Sequence, residues 1–192
     1  MKKIVLASSS PRRRQLLEWA EIKFDILFRE TPELYPEDLV REQIPIHVAR
    51  QKALIVQTLE LYQRYERDVP IVAADTIVLL DGEILGKPDS KADAIEMLQR
   101  LSGKKHEVIT GVVILFGSKE IYFSETTEVE FHDLDPEDIH FYVDKFLPLD
   151  KAGAYAIQEW IGVIGVKSIK GDYYNVMGLP VSLVLKALKD NF

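Results

Sequence analysis

The densest run of side chains able to do chemistry is Ala7-Ser8-Ser9-Ser10-Pro11-Arg12-Arg13-Arg14. Ser10 before Pro11 signals the start of a helix, an N-cap followed by an N1 proline. A helix N-terminus carries free N–H groups and partial positive charge, so each cation in its first turn is opposed by roughly 0.3–1 kcal/mol. Three arginines nevertheless stand there. A docked anion would account for them, because the hydroxyls of Ser8 and Ser10, the backbone amides and the guanidinium groups of Arg12 and Arg13 would converge on phosphate oxygens. The alternative is a solvated basic turn paired with nearby acids.

Asp75 lies between Ile71-Val72-Ala73-Ala74 and Thr76-Ile77-Val78. An ionised carboxylate in so apolar a run is expensive unless it is paired or holds a metal. It is therefore either matched by a cation or set where it caps a loop or reaches solvent. Lys52, on the Ala49 and Ala53 side of a helical pattern, and Lys87, in the bend Gly86-Lys87-Pro88, read alone as lysines whose stems cover apolar surface. A further patch joins Asp150-Lys151-Ala152-Gly153-Ala154-Tyr155-Ala156-Ile157-Gln158 to the segment Gly171 to Pro180. Small residues and a Gly-bounded aromatic loop suit close approach to a flat ligand, and Gln158 offers a donor and an acceptor together. A packed turn with an amide capping loose backbone fits those residues equally well.

The elements that must carry these residues alternate between strand and helix. Ile4 to Ala7 reads as a buried strand and Pro11 to Trp19 as a helix, followed by an acidic loop with Glu30, Pro32, Glu33, Pro36 and Glu37. Spacing of Ala49, Ala53 and Val56 predicts a helix from about Ile46 to Tyr65. Ile71 to Leu80 and Glu83 to Leu85 form a hairpin about Asp81-Gly82. Ser90, with Asp93 three residues on, caps a helix ending near Leu101. Strands follow at Val108 to Phe116 and Ile121 to Phe131, and Asp135-Pro136 opens a helix to about Phe146. Ala154 to Ile157 and Ile161 to Val166 read as extended, and Leu179-Pro180 opens a last helix to about Leu188. Without repeats or a linker, this pattern predicts a mixed α/β sheet flanked by helices.

Composition narrows the function. The 192 residues are 47% hydrophobic and 29% charged, with net charge −7. That balance disfavours nucleic acid and anionic membrane as partners. The absence of cysteine removes disulfides, thiolate nucleophiles and Cys-ligated metal. His47, His106, His132 and His140 lack zinc-protease spacing, and the P-loop, dinucleotide and hydrolase-elbow motifs are missing. The start Met1-Lys2-Lys3 leads into too short an apolar run for a signal peptide or membrane span, so a cytoplasmic setting is expected.

Taken together, Ala7 to Arg13, Ala74-Asp75-Thr76-Ile77-Val78, Leu85-Gly86-Lys87-Pro88, Leu101-Ser102-Gly103 with His106 and Thr110-Gly111-Val112, Asp150 to Tyr155 with Gln158, and Gly171 to Pro180 resemble the Maf family of nucleoside triphosphate pyrophosphatases, or septum-formation inhibitors. The resemblance implies a single Maf-like domain over 1–192. Its fold would be a Maf/ITPase-like mixed twisted β-sheet flanked by helices, with two lobes around a central cleft. It also implies a homodimer and a divalent cation, Mg²⁺ or Mn²⁺, on Asp75 and Glu33. Its dTTP/UTP branch carries the Asp150 to Gln158 motif and converts the triphosphate to monophosphate and pyrophosphate. By position, Asp75 matches the proton acceptor. Arg12, Thr76 and Gln158 match specificity positions, and Arg13, Glu33, Lys52 and Lys87 match further cleft residues. Ser8 and Ser10 join Arg12 and Arg13 on the substrate. Rival expectations are an inosine or xanthosine triphosphate pyrophosphatase and a non-catalytic nucleotide-binding regulator of cell division.

Overall fold

A computed structural model describes residues 3–65 and 69–192; Met1 and Lys2 of the basic start lie outside them. The first elements are β1 (Ile4–Leu6), α1 (Pro11–Trp19), β2 (Phe24–Ile26), α2 (Gln43–Thr58) and α3 (Glu60–Gln63). Then come β3 (Ile71–Leu80), β4 (Glu83–Leu85), α4 (Lys91–Leu101), β5 (Lys105–Phe116), β6 (Lys119–Phe131) and α5 (Pro136–Phe146). The chain ends with α6 (Trp160–Gly165), β7 (Val166–Lys170), α7 (Tyr173–Met177) and α8 (Val181–Asn191). Among the described residues the strands form a sheet in the order β2-β1-β3-β5-β6-β7, with β4 paired to β3. β1 is parallel to β2 and β3, whereas β4 and β7 are antiparallel to their partners, so the sheet is mixed as expected. No helix among the described residues is long and apolar enough to cross a membrane.

The chain forms two compact units. One comprises Met1–Asp75, Thr110–Glu125 and Gly178–Phe192; the other comprises Thr76–Ile109 and Thr126–Met177. Neither is a contiguous segment, since the crossings at Asp75, Ile109 and Glu125 fall inside strands.

In the first unit, the apolar run of β1 and β3 demands cover on its faces. α2 supplies it with small residues: Ala49, Ala53 and Val56 pack with Val5, Ala7, Ile71, Ala73, Val113 and Leu115. Gly111 on β5 permits still closer approach, because a Cβ there would lie 2.3 Å from the backbone nitrogen of Ile46. α2 is thus seated tightly on the strands. In the second unit, α4 begins at Ser90, whose Oγ accepts the Asp93 N–H at 3.2 Å. Leu98 and Leu101 of α4 are buried, as are Ile139, Tyr142 and Val143 of α5. The two hairpins use the turns that suit strand twist. Asp81 and Gly82 both have positive φ, 52° and 86°, and Gly117 alone has it in Gly117-Ser118, at 58°.

Three sequence expectations require correction. The helix predicted over 46–65 starts earlier, at Gln43, and breaks at Leu59, whose ψ of 136° is extended. The Thr58 hydroxyl donates to Ile55 O at 2.8 Å, offering the helix end a competing bond. Ala154 to Ile157 is not a strand: Ala152–Ala154 is a 3₁₀ turn, and Ala154 has φ 59°. Ile161 to Val166 is mostly helix α6, because Ile161, Gly162 and Gly165 are buried on one face while Val163 is 78% exposed. Helical burial overrides the β-branched composition there. The strand lies one step later, in β7, and β2 and α7 were not anticipated; all three are short, with weak apolar patterning.

Gly162 provides a test of the α6 geometry. A Cβ at this position would sit 1.9 Å from Ile157 O, which is backbone and cannot rotate away. Gly162→Ala is expected to lower stability by about 2–4 kcal/mol in urea unfolding, against less than about 0.5 kcal/mol for the outward Val163→Ala. Equal midpoints for the two variants would contradict this packing.

Candidate functional site

Within the first unit, the N-terminus of α1 sorts its three arginines into different roles. Ser10 is the N-cap, its Oγ accepting the Arg13 N–H at 3.5 Å. Ser8 Oγ accepts the Ser10 N–H and Arg13 Nη1, each at 3.2 Å. Arg13 is buried and its Nε donates to Gly178 O at 2.7 Å. Burial pushes the Arg13 guanidinium below its ordinary pKa, opposed by the nearby Asp75 and Glu33 carboxylates. Arg14 takes the bland role, an exposed pair with Glu18 at 3.4 Å. Arg12 is half-buried on the same turn.

Asp75 is buried in the middle of β3, and the open question about it is answered by a cation. Lys52 Nζ lies 2.6 Å from Asp75 Oδ1 and 3.0 Å from Glu33 Oε1. Lys52 is therefore not a mere cover for apolar surface. It sits between Ala49 and Ala53 on the face of α2 that the close packing presses against β3. Glu33 comes from the irregular acidic loop, which is tied to α2 again by Gln51 Nε2 donating to Leu34 O at 3.2 Å. Successive residues of α2 thus hold successive residues of the loop.

No group of three or more potential metal-ligating residues occurs among the described residues. The pair Glu33 and Asp75 nonetheless fits Mg²⁺ or Mn²⁺, since such ions are commonly bound through one or two carboxylates, with waters and substrate phosphates completing the shell. Two carboxylates already gathered on one ammonium form that donor set.

Thr76, Lys87 and Gln158 belong to the second unit. Thr76 follows Asp75 on β3 and is half-buried, and Lys87 is exposed. The Gly153 N–H donates to Gly86 O at 3.0 Å, which ties the Gly86-Lys87-Pro88 bend to the small-residue motif. Gly153 has φ 68°, and a Cβ there would meet Val78 Cγ1 at 3.1 Å. Gln158 Oε1 is buried without a hydrogen-bond partner among the described residues. His106 donates to or accepts from Tyr155 Oη at 2.7 Å, and burial pushes its pKa down to about 4.

Sequence reasoning did not identify one network beside Gln158. The buried Lys151 Nζ lies 2.7 Å from Asp150 Oδ1 and 3.5 Å from Glu159 Oε1. Tyr142 Oη donates to Glu159 Oε2 at 2.5 Å and accepts the Ala156 N–H at 3.2 Å. The Asp150-Lys151 pair was visible in the sequence. Tyr142 carried no signal beyond an apolar helix position.

Comparison with known proteins adds a full-length likeness. The family model described as Maf-like protein matches residues 3–191. A protein of Bacteroides thetaiotaomicron named dTTP/UTP pyrophosphatase is 46% identical, covering 97% of this chain and 94% of its own. One of Cytophaga hutchinsonii with the same name is 47% identical, covering 98% and 84%. The structure of the Staphylococcus aureus Ham1 protein aligns over 100% of both chains, with a TM-score of 0.48 and 18% identity.

The Lys52 contacts predict an asymmetric response to mutation. Lys52→Met leaves the Asp75 carboxyl buried without its ammonium partner, and is expected to lose about 1–3 kcal/mol in urea unfolding at pH 7, discounted for partial exposure. Lys52→Met combined with Asp75→Asn should recover most of that loss. Additive losses would mean that the two side chains do not interact.

Proposed function

Because this chain belongs to the Maf-like family, we propose that it is a nucleoside triphosphate pyrophosphatase that hydrolyses dTTP and UTP to the monophosphate and pyrophosphate. Relatives bearing that activity in their names match nearly its whole length at 46% and 47% identity. The observation that carries the chemistry is Asp75 held beside Lys52 and Glu33 inside a strand.

In this reaction a water attacks a phosphoryl group, the bond between the α- and β-phosphates breaks, and pyrophosphate leaves with the electron pair. The water must lose a proton, and the triphosphate's negative charge must be neutralised before it can approach. Asp75 accepts the proton; Lys52 holds one carboxylate oxygen and so fixes the direction of the other. Arg12, Arg13 and Lys87, with the hydroxyls of Ser8 and Ser10, bind phosphoryl oxygens and stabilise charge on the leaving group. Buried Arg13, pinned by Ser8 and Gly178, presents a rigid donor array. A divalent cation, when bound by Asp75 and Glu33, would neutralise phosphate charge and acidify a bound water. Thr76 and Gln158 discriminate the nucleoside, the unpartnered Gln158 Oε1 being an acceptor suited to the N–H of thymine or uracil.

The same reading takes the chain as one working domain of 192 residues, acting as a homodimer in the cytoplasm on a free nucleotide. Its discontinuous units support the single domain, since no single cut of the chain would separate them.

Two measurements test the assignment. Asp75→Asn should reduce kcat for pyrophosphate release from dTTP about 10²–10⁴-fold, as loss of a general base does. Near wild-type turnover would refute that role. Gln158→Ala should lower the kcat/KM advantage of dTTP and UTP over ITP and XTP about tenfold while leaving kcat on the best substrate within a few-fold. An unchanged ranking across the four nucleotides would remove Gln158 from recognition.

A further inference from the structure

β6 spans Lys119–Phe131, yet its register with β7 begins only at Glu128, opposite Lys170. Beyond β7 the chain turns at Gly171 beside Thr126 and Thr127. Among the described residues, no strand is paired to the outer side of β6 over residues 119–125. The two-residue turn Gly117-Ser118, with φ 58° at its glycine, sets Phe116 and Lys119 as a hydrogen-bonded pair. Odd-numbered residues of this segment therefore spend their backbone groups on β5. Glu120, Tyr122 and Ser124 turn theirs outward.

The side chains of this edge are already ordered. Arg50 of α2 donates through Nε to Glu120 Oε1 at 2.7 Å, and its guanidinium lies 5.2 Å from the centroid of the Tyr122 ring. Tyr122 is 58% exposed despite that contact. Lys119 Nζ is positioned by Asn191 Oδ1 at 2.7 Å. An edge strand with free backbone groups and fixed side chains is a template for another strand.

The sequence of the edge selects which strand. Lys119-Glu120-Ile121-Tyr122-Phe123-Ser124-Glu125 is complementary to itself when laid antiparallel about Tyr122. Lys119 then faces Glu125, Glu120 faces Ser124, Ile121 faces Phe123, and Tyr122 faces its own copy. Moving the axis to Ile121 sets Lys119 against Phe123. Moving it to Phe123 sets Ile121 against Glu125, and moving it to Glu120 sets two carboxylates together. Only the Tyr122 register pairs charge with opposite charge and apolar with apolar.

We propose that residues 119–125 of β6 pair antiparallel with the same segment of a second copy of this chain, with Tyr122 on the two-fold axis. This gives the homodimer a defined surface, continuing the sheet across the axis. The assembly is measured without nucleotide, so it stands or falls separately from the hydrolytic reading.

The test is sedimentation of the full-length protein at several concentrations. Wild type should dimerise reversibly. Lys119→Glu and Glu125→Lys each bring like charges together, twice per dimer, and each should weaken association about tenfold. The double variant should return to within about threefold of wild type. A wild type still monomeric at about 100 µM, or no recovery in the double variant, would overturn the proposal. Because the chain has no cysteine, Tyr122→Cys carries a single thiol. Diamide should oxidise two such thiols to a covalent dimer faster than it does in Lys167→Cys on β7. Equal cross-linking would also overturn it.

Discussion

A carboxylate buried in the middle of an apolar strand is the constraint around which the first unit is built. Asp75 interrupts an otherwise apolar β3, and an unpaired charge there would be costly enough to threaten folding. Its compensation, the Lys52 ammonium at 2.6 Å, arrives on a helix, so α2 must approach β3 closely enough for the lysine to reach. That requirement explains the alanines on the packing face of α2 and the glycine beneath its first turn. A bulkier residue at Ala49, Ala53 or Gly111 would push the helix away and leave the carboxylate without its partner. The small residues are therefore as much a part of the site as the charged ones.

The helix dipole explains the division of labour among the arginines. Cations at the first turn of α1 oppose the dipole, and the structure relieves the conflict in more than one way. Arg13 folds away from the axis to bond Ser8 and Gly178, so its charge is compensated by oxygens and by the fields of Asp75 and Glu33. Arg14 instead pairs with Glu18 one turn on. The carbonyl of Gly178 lies just ahead of α8, so Arg13 also fastens the start of the last helix to the loop after β1. A residue read from sequence as a ligand for anions is thereby also a structural bolt.

What could be read from the sequence was whatever is encoded locally. Ser10-Pro11, Ser90 with Asp93, Asp81-Gly82 and the apolar run of β3 each carry their signal within a few residues, and the corresponding elements stand where they were expected. Segment 152–170 defeated the same reasoning, because its β-branched residues speak for a strand while the burial of Ile161 and Gly165 on one face speaks for a helix. Tertiary packing decided it. The site was legible as residue types and as a family resemblance, but not as contacts. Lys52 looked like an ordinary surface lysine because its two partners lie 19 and 23 residues away in sequence, on a loop and a strand whose meeting no local pattern predicts. Tyr142 and Glu159 were hidden for the same reason.

Lys52 and Lys151 each meet two acids, and setting them side by side shows how one electrostatic device serves different ends. Around Lys151 all the charges lie between Asp150 and Glu159, so the network shapes a short stretch of chain just ahead of Gln158. Around Lys52 the acids come from separate elements, so the same contacts assemble tertiary structure. Each cluster of one cation and two carboxylates has a formal charge of −1, which repels a polyphosphate. Next to Lys151 the imbalance is harmless, because that region is proposed to meet the base. Beside Asp75 it would defeat binding unless more positive charge were supplied, and Arg13 only brings the sum to zero. Arg12, Lys87 and a divalent cation are the further sources the proposed reaction has. This charge balance, more than any single contact, ties the arginine-rich turn to the acidic pair.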